Sequence, residues 1–489
     1  AREALETLRG SLRGEELKIA FMKNRLEVYE SLVELCLSGK ERHQPAEEAF
    51  TYIELAKSRS LAELLMRSGP AIPEAATGQS QLVRRIREMR EELNWYYRRI
   101  ELEQLSAEEP SPEKISKLQE QALAHENDLL HVLRELPQTG EISSQPALMS
   151  SLETIRASLP VGAALVEYFS LKDQFIAAVV TCERLEIVPI TPVSRVVNLM
   201  RMLHFQISKF RLGADYVQTF EKPMLEATQA HLRQLYDEVF APIRPHLAAT
   251  HLIIVPHGVL HYAPFHALYD GSQYLIDSFT VSYAPSAGVF AYCQQKPAES
   301  SGAALILGVP DSRAPFIDDE VRSVAAMVPD AELIVGASAN EATLREKGAN
   351  SRLIHIATHG RFRQDNPMFS GIRLGDAYLS LYDLYHLKLN ADLVTLSGCA
   401  TGMNVVTAGD ELLGLIRGLL YAGAQSVLLS LWDVHDRSTA ELMEAFYRRY
   451  CDGGENASAL RGAMIELREK HPHPYYWAAF ALTGKIPSA

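Results

Sequence analysis

From about Glu15 to Leu37 the apolar positions Ile19, Phe21, Met22, Leu26, Val28, Tyr29, Leu32 and Leu35 recur at helical spacing, and Ser38-Gly39-Lys40 breaks the run. A second helical face runs from Pro45 to Met66 through Ala49, Phe50, Ile53, Ala56, Leu61 and Leu65, with Pro45 suited to a first turn. Helix, short turn and helix, with small alanines on the packing face, predict one helical repeat unit over residues 1–68; three clean copies are not present. Ser68 to Ser80, carrying Gly69, Pro70, Pro73 and Gly78, reads as a linker. Beyond it Leu82, Ile86, Met89, Leu93, Tyr96 and Ile100 step alternately by three and four residues. Glu109-Pro110-Ser111-Pro112 ends that helix, with Ser111 as N-cap of a return helix bearing Ile115, Leu118, Ala122, His125, Leu129, Val132 and Leu136. An antiparallel helical hairpin over residues 80–137 is expected.

The rhythm then changes. Ala163 to Phe169, Phe175 to Cys182 and Leu185 to Ile190 read as strands, with turns at Lys172-Asp173 and Glu183-Arg184. Helices follow through about Phe240, and His251 to Val255 is a buried strand. The polar stretch Gln294 to Gly302 connects this block, residues 150–300, to a second one at 301–489. There Ala303 to Val309 and Glu332 to Val335 are strands, and Asp319 to Met327 and Ala342 to Lys347 short helices. Leu353-Ile354-His355-Ile356-Ala357 is a core strand stopped by Thr358-His359-Gly360; Leu393-Val394-Thr395-Leu396 is another, stopped by Ser397-Gly398 before Cys399. Between them Gly371 to Leu374 and Ala377 to Leu379 form a hairpin, read equally as a cleft-lining flap or a surface feature. Gly409-Asp410 is expected to cap a helix from Glu411 to Tyr421, whose dipole would favour a thiolate at Cys399. Gln425 to Trp432 is the next strand, Ser438 to Tyr450 a helix, and the aromatic segment Tyr475 to Phe480 packs on the sheet.

Composition narrows the function classes. The 489 residues suffice for two to four domains, and no apolar run approaches membrane-spanning length. A net charge of -13 without a basic block argues against direct nucleic-acid binding. The arginines at 84, 85, 87, 90, 98 and 99 read as a solvated face, with partner docking as the sharper alternative. Cys36, Cys182, Cys293, Cys399 and Cys451 are scattered and odd in number, which suits a reducing cytoplasm. No C-x-x-C pair is present, and His257, His261 and His266 have no recognised ligand spacing, so neither metal nor cofactor is expected. The chain opens at Ala1 on helix-like sequence, as a trimmed or processed chain would.

Two strands with the same construction would bring His359 and Cys399 to one sheet edge, a base beside a nucleophile. Gly360 and Gly398 let the backbone approach a substrate, and the N–H groups of Gly360 and Cys399 are candidates to hold an oxyanion. The bland alternative makes Cys399 a small buried hydrophobe and His359 a satisfied loop residue.

THG at 358–360, LSGCATG at 396–402, AGAQSVLLSLWDVHD at 422–436 and HPYYWAAFALTG at 473–484 resemble the CHAT peptidases, caspase-like cysteine proteases often attached to tetratricopeptide-type helices. VPHGVLHYAPFHAL at 255–268 and SYAPSAGV at 282–289 are similar to the first half of that domain, and AFTYIELAKSRSLAELL at 49–65 to the helical unit that precedes it. The resemblance implies an α/β caspase-like sandwich, a non-catalytic half followed by a catalytic one, preceded by all-α tetratricopeptide-like and hairpin regions. It implies a cytoplasmic cysteine endopeptidase acting on a protein substrate through His359 and Cys399, kept latent until an activating protein partner docks on the N-terminal helices, in bacterial antiviral defence. By analogy with legumain and separase, Asp433 or Asp436 would bind a Lys or Arg before the scissile bond; helix capping is the alternative for Asp436. A non-catalytic interaction scaffold and a thiol acyl transferase are the competing readings. No third catalytic residue stands out.

Overall fold

The structure is a computed structural model that describes residues 25–38, 45–66, 80–104, 111–134, 151–297, 302–399, 401–407 and 409–486, with Leu8 and Phe21. Most of the 68–80 linker, the Glu109-Pro110 turn, Leu136, residues 298–301 of the connector and most of 15–24 lie outside them.

Helices α1 (Leu26–Ser38) and α2 (Pro45–Ala56) pack through Tyr29, Val33, Cys36, Ala49 and Ile53 against Phe169 and Ile176 of the sheet. The helix expected to run on to Met66 instead breaks at Lys57-Ser58, and α3 (Arg59–Met66) starts in a new direction. Ser58 sits at φ 45, in the left-handed region. The break has a tertiary cause, because both residues are buried and bonded to segments far along the chain.

Helices α4 (Ser80–Gln104) and α5 (Pro112–Arg134) form the expected hairpin. Ile86, Leu93, Tyr97, Ile100, Leu118, Ala122, Leu129 and Val132 fill its seam. Tyr97 takes the buried place expected for Tyr96, which instead lies against His125 with ring centroids 4.9 Å apart. Of the arginine face, Arg84, Arg85, Arg87, Arg98 and Arg99 are exposed, whereas Arg90 is drawn into ion pairs with Asp383 and Glu341.

A short helix α6 (Leu152–Ser158) leads into one eleven-stranded sheet of order β3-β2-β1-β4-β5-β16-β15-β12-β8-β6-β7. Its strands are β1 (Ala163–Leu171), β2 (Gln174–Val180), β3 (Leu185–Pro192), β4 (His251–Val255), β5 (Thr280–Tyr283), β6 (Ala303–Gly308), β7 (Ala331–Val335), β8 (Ser351–Ala357), β12 (Leu393–Ser397), β15 (Ser426–Ser430) and β16 (Phe480–Gly484). The sequence predicts only that Tyr475 to Phe480 packs on the sheet, not the strand β16 that follows. That strand joins the two blocks, parallel to β5 and antiparallel to β15. Strand direction therefore reverses there, and the carboxyl ends of β1, β4 and β5 face the opposite edge from those of β15, β12, β8 and β6.

Both faces of the sheet are covered, which is why its central strands read as unbroken apolar runs. Helices α7 (Val193–Ser208), α8 (Ala214–Leu235), α10 (Phe316–Met327), α13 (Asp436–Cys451) and α14 (Asn456–Lys470) bury one face through residues such as Val196, Leu232, Val321, Phe446 and Leu460. Helices α3, α11 (Glu341–Gly348) and α12 (Leu415–Ala422) contribute Leu61, Leu344 and Leu419 to the other, while α9 (Ala287–Gln295) adds Phe290. Trp477, next to β16, is fully buried; truncating such a side chain costs about 3–5 kcal/mol. A small sheet of β9 (Gly360–Arg361), β10 (Gly371–Arg373) and β11 (Tyr378–Ser380) carries the chain away from His359 and packs under the helical hairpin through Phe369 and Tyr378. The helix expected at Glu411–Tyr421 is only partly helical. Glu411–Gly414 is strand β14, paired with β13 (Asn404–Thr407), and α12 begins at Leu415.

Candidate active site

Strands β8 and β12 are parallel neighbours whose register aligns Ala357 with Ser397, so they end level. Thr358-His359 and Gly398-Cys399 therefore leave the sheet side by side, and His359 and Cys399 line one cavity of about 400 Å³. The glycines beside them are demanded by sterics. A Cβ on Gly398 would lie 2.2 Å from the Thr358 carbonyl oxygen, and one on Gly360 would lie 2.2 Å from that of Cys399. Any side chain at either position would force the two strand ends apart.

The turn carrying Cys399 is stapled from below. Ser430 Oγ donates to the Gly398 carbonyl at 2.5 Å, Thr401 Oγ1 donates to the Leu396 carbonyl at 3.1 Å, and the Gly402 amide donates to the Ser430 carbonyl at 2.8 Å. Burial pushes the Cys399 thiol above its ordinary range, and the Asp433 and Asp436 carboxylates add to that. Its Sγ lies 3.8 Å from the Val434 carbonyl. The helix expected to start after Asp410 starts only at Leu415, beyond the β13–β14 hairpin in the chain.

His359 is held by a residue that the sequence reading passed over. Its Nε2 lies 3.1 Å from Asp311 Oδ1, and Arg373 Nη1 donates to Asp311 Oδ2 at 2.5 Å. The Arg373 amide also donates to the His359 carbonyl at 2.9 Å, tying β10 to the same loop. Against the upward pull of burial, the bonds from His359, the Arg313 amide and Arg373 bring Asp311 down to about 2. Asp311 is therefore an anion at neutral pH, able to fix the imidazole and to stabilise an imidazolium. A signal for it was present. Pro310-Asp311 follows the core strand Ala303 to Val309, the same construction that marked His359 and Cys399.

Of the two acidic candidates, the structure brings Asp436 to the cavity and ties Asp433 to Arg211 in an ion pair at the rim. Asp436 does not cap its own helix, whose N-cap is His435. Its Oδ2 instead accepts the Phe316 amide of α10 at 2.9 Å, and burial pushes its carboxyl up. Glu320, 2% exposed, also lines the cavity and lies 3.0 Å from His355 Nε2. Four adjacent strands, β15, β12, β8 and β6, thus deliver Asp436, Cys399, His359 and Asp311 from their carboxyl ends.

The second histidine group has another fate. His261 Nε2 lies 2.9 Å and His257 Nδ1 3.4 Å from Asp410 Oδ2, and His266 sits 2.9 Å from both the Tyr283 hydroxyl and the Ala478 carbonyl. Asp410, expected as a helix cap, is a buried anchor at the carboxyl end of β4. Among the described residues no group of three or more His, Cys, Asp or Glu is disposed to hold a metal, and no helix is long and apolar enough to cross a membrane.

The sequence profile of the CHAT domain matches residues 229–485, a span that holds all four strand-end residues. The chain belongs to the CHAT family. Tetratricopeptide repeat protein 28 of Mus musculus is 27% identical over 322 residues, and that of Homo sapiens 26% identical over 322; each match covers 52% of this chain and 13% of the relative. The chain thus spans a small part of those relatives' length. A chain in the crystal structure of the Saccharomyces cerevisiae separase–securin complex superposes with a TM-score of 0.52 at 13% identity, covering 96% of this chain and 38% of that one. The chain has that caspase-like α/β fold, with a helical region before it.

Proposed function

We propose that the protein is a cysteine endopeptidase whose nucleophile is Cys399 and whose base is His359. The observation that carries this reading is the level ending of β8 and β12, with two glycines packed backbone to backbone beneath one cavity. In the reaction His359 takes the Cys399 proton, and Sγ attacks the scissile carbonyl carbon. The backbone N–H groups of Gly360 and Cys399 stabilise the oxyanion, and the imidazolium returns its proton to the leaving amine. Water then hydrolyses the thioester with His359 again as base. Asp311 orients the imidazole through Nε2, which leaves Nδ1 for the proton. Asp436 and Glu320 make the cavity acidic, which supports a Lys or Arg side chain before the cut, with Asp433 contributing once Arg211 releases it.

The raised Cys399 thiol supports a latent resting state. A thiol above its ordinary pKa is less ionised at neutral pH than the few per cent of a free cysteine. This fits an enzyme in the cytoplasm that waits for a protein partner on its helices, in the defence setting that the family resemblance implies. The same feature favours the competing reading, a binding scaffold with an unused site. A peptide library varied at the residue before the cut, offered to wild type, Cys399→Ala and Asp436→Asn, decides between them. Cleavage after Lys or Arg that disappears in Cys399→Ala supports the peptidase; no cleavage with or without a partner supports the scaffold.

A further inference from the structure

Each chain segment that continues from a member of the dyad is fastened by a buried charge of the helical region outside the cavity. On the histidine side the anchor is Glu126 of α5, with no exposed surface. Its carboxylate accepts from Arg363 Nη1 at 2.6 Å, Arg363 Nη2 at 3.0 Å, Asn366 Nδ2 at 3.1 Å and the Tyr97 hydroxyl at 2.5 Å. The Arg361 guanidinium lies over the Tyr97 ring at 4.5 Å. These partners start two residues after His359, and Gly360 between them is pinned against the Cys399 carbonyl. Displacing residues 361–366 therefore displaces His359.

On the cysteine side the anchor is Lys57, at the break between α2 and α3 and 1% exposed. Its Nζ donates to the Tyr168 carbonyl at 3.0 Å and lies 3.5 Å from Asp410 Oδ2 and 3.6 Å from Glu167 Oε1. Ser58 adds a bond from its amide to the Gly409 carbonyl at 2.8 Å. Glu411 accepts the amides of Ser60 and Leu61 at the start of α3 and pairs with Arg417 of α12 at 2.8 Å. The far end of the hairpin that leaves Cys399 is thus bolted to the helical region.

We propose that Glu126 and Lys57 are positioning residues for the dyad, Glu126 acting on His359 through Arg363 and Lys57 acting on Cys399 through Asp410. The helical region is then part of the machinery that sets nucleophile-to-base geometry. Glu126 has the larger effect, because its partner Arg363 lies four residues from His359 with Gly360 pinned between them, whereas Ser430 holds the Cys399 turn independently of Lys57. The proposal rests on the dyad reading above.

The test follows iodoacetamide alkylation of Cys399, read on its own peptide by mass spectrometry from about pH 6 to pH 10, together with peptide turnover per titrated active site. His359→Ala sets the unassisted alkylation rate at neutral pH. Glu126→Gln is expected to take the neutral-pH rate most of the way to that level and to lower kcat about tenfold with KM within about twofold, as loss of alignment rather than of binding does. Lys57→Met is expected to lower both about threefold. Arg363→Lys keeps the charge but not the two-pronged bond, and is expected to reproduce Glu126→Gln; it decides the matter should Glu126→Gln not fold. Profiles and kcat per site equal to wild type in the folded variants, whatever their Tm, overturn the proposal. Wild type that alkylates with His359 assistance yet cleaves no peptide, with or without a partner, sinks the peptidase reading alone. A His359→Ala profile equal to wild type sinks the dyad and the positioning together.

Discussion

The two edges of the sheet use the same side chains in opposite ways. At the carboxyl end of β4, His257 and His261 surround Asp410, and Lys57 is driven in from the helical region to complete the group. At the carboxyl ends of β6 and β8, Asp311 and His359 make a similar pair, but it opens on a cavity of about 400 Å³ beside Cys399. The first cluster is closed by a permanent partner and the second is left open. A histidine and an aspartate at a strand end therefore do not define a site; the space left beside them does. The closed edge serves stability and the open edge is available for chemistry.

Four predictions break or sharpen this contrast. The largest effect is expected from Asp410→Ala, which takes from Lys57, His257 and His261 the buried carboxylate they share. Loss of one partner of a buried pair costs about 3–5 kcal/mol, read as a fall in the urea midpoint. A shift of under about 1 kcal/mol would show that the cluster is not a stability device.

Acid should find the closed edge next. Burial brings His266 to about 4, so it is neutral when folded and takes up a proton when unfolded. Its contribution is fully present above the unfolded pKa and is lost as pH falls from about 6.5 toward 4, on the order of 3 kcal/mol. Asp410, held well below its ordinary value by His257, His261 and Lys57 against the cost of burial, keeps its charge throughout that window. An unfolding midpoint independent of pH across it would contradict the assignment.

At the open edge the expected losses are in rate rather than stability. Asp311→Asn should lower kcat about a hundredfold, because an amide holds the imidazole but stabilises an imidazolium poorly, with little change in Tm. Unchanged kcat would make Asp311 a structural turn residue. The smallest effect is expected from Asp436→Asn, about a tenfold loss of preference for Lys or Arg over a neutral residue. Arg211→Ala should raise that preference slightly by freeing Asp433. Equal selectivity in all three proteins would remove the acidic pocket.

The scaffold of the open edge was legible in the sequence because it is written in short apolar runs with abrupt punctuation. Leu353–Ala357 ending at Gly360, and Leu393–Leu396 ending at Gly398, gave both strands and both chemical residues. The same grammar at Ala303–Val309 pointed to Asp311, but an aspartate after a proline also reads as an ordinary turn. What could not be read is what depends on distant partners. Lys57 lies inside a good helical pattern, and only distant partners, Tyr168 and Asp410 among them, explain why the helix breaks there. Asp410 looked like a cap because local sequence offers a helix to cap. Glu126 sits beside His125 on an ordinary polar helix face until Arg363 arrives. Strand β16 exists only because β15 and β5 leave a slot between them.

The measurement that tests the central claim most directly is covalent labelling by a peptidyl-arginine acyloxymethyl ketone, which needs a nucleophilic thiol, an assisting imidazole and a pocket for the basic side chain in a single event. The account predicts a label on Cys399 and on no other cysteine, absent in His359→Ala and weaker in Asp436→Asn. Labelling of Cys399 at the same rate in His359→Ala, or no label on Cys399 with the protein folded and an activating partner bound, would contradict it.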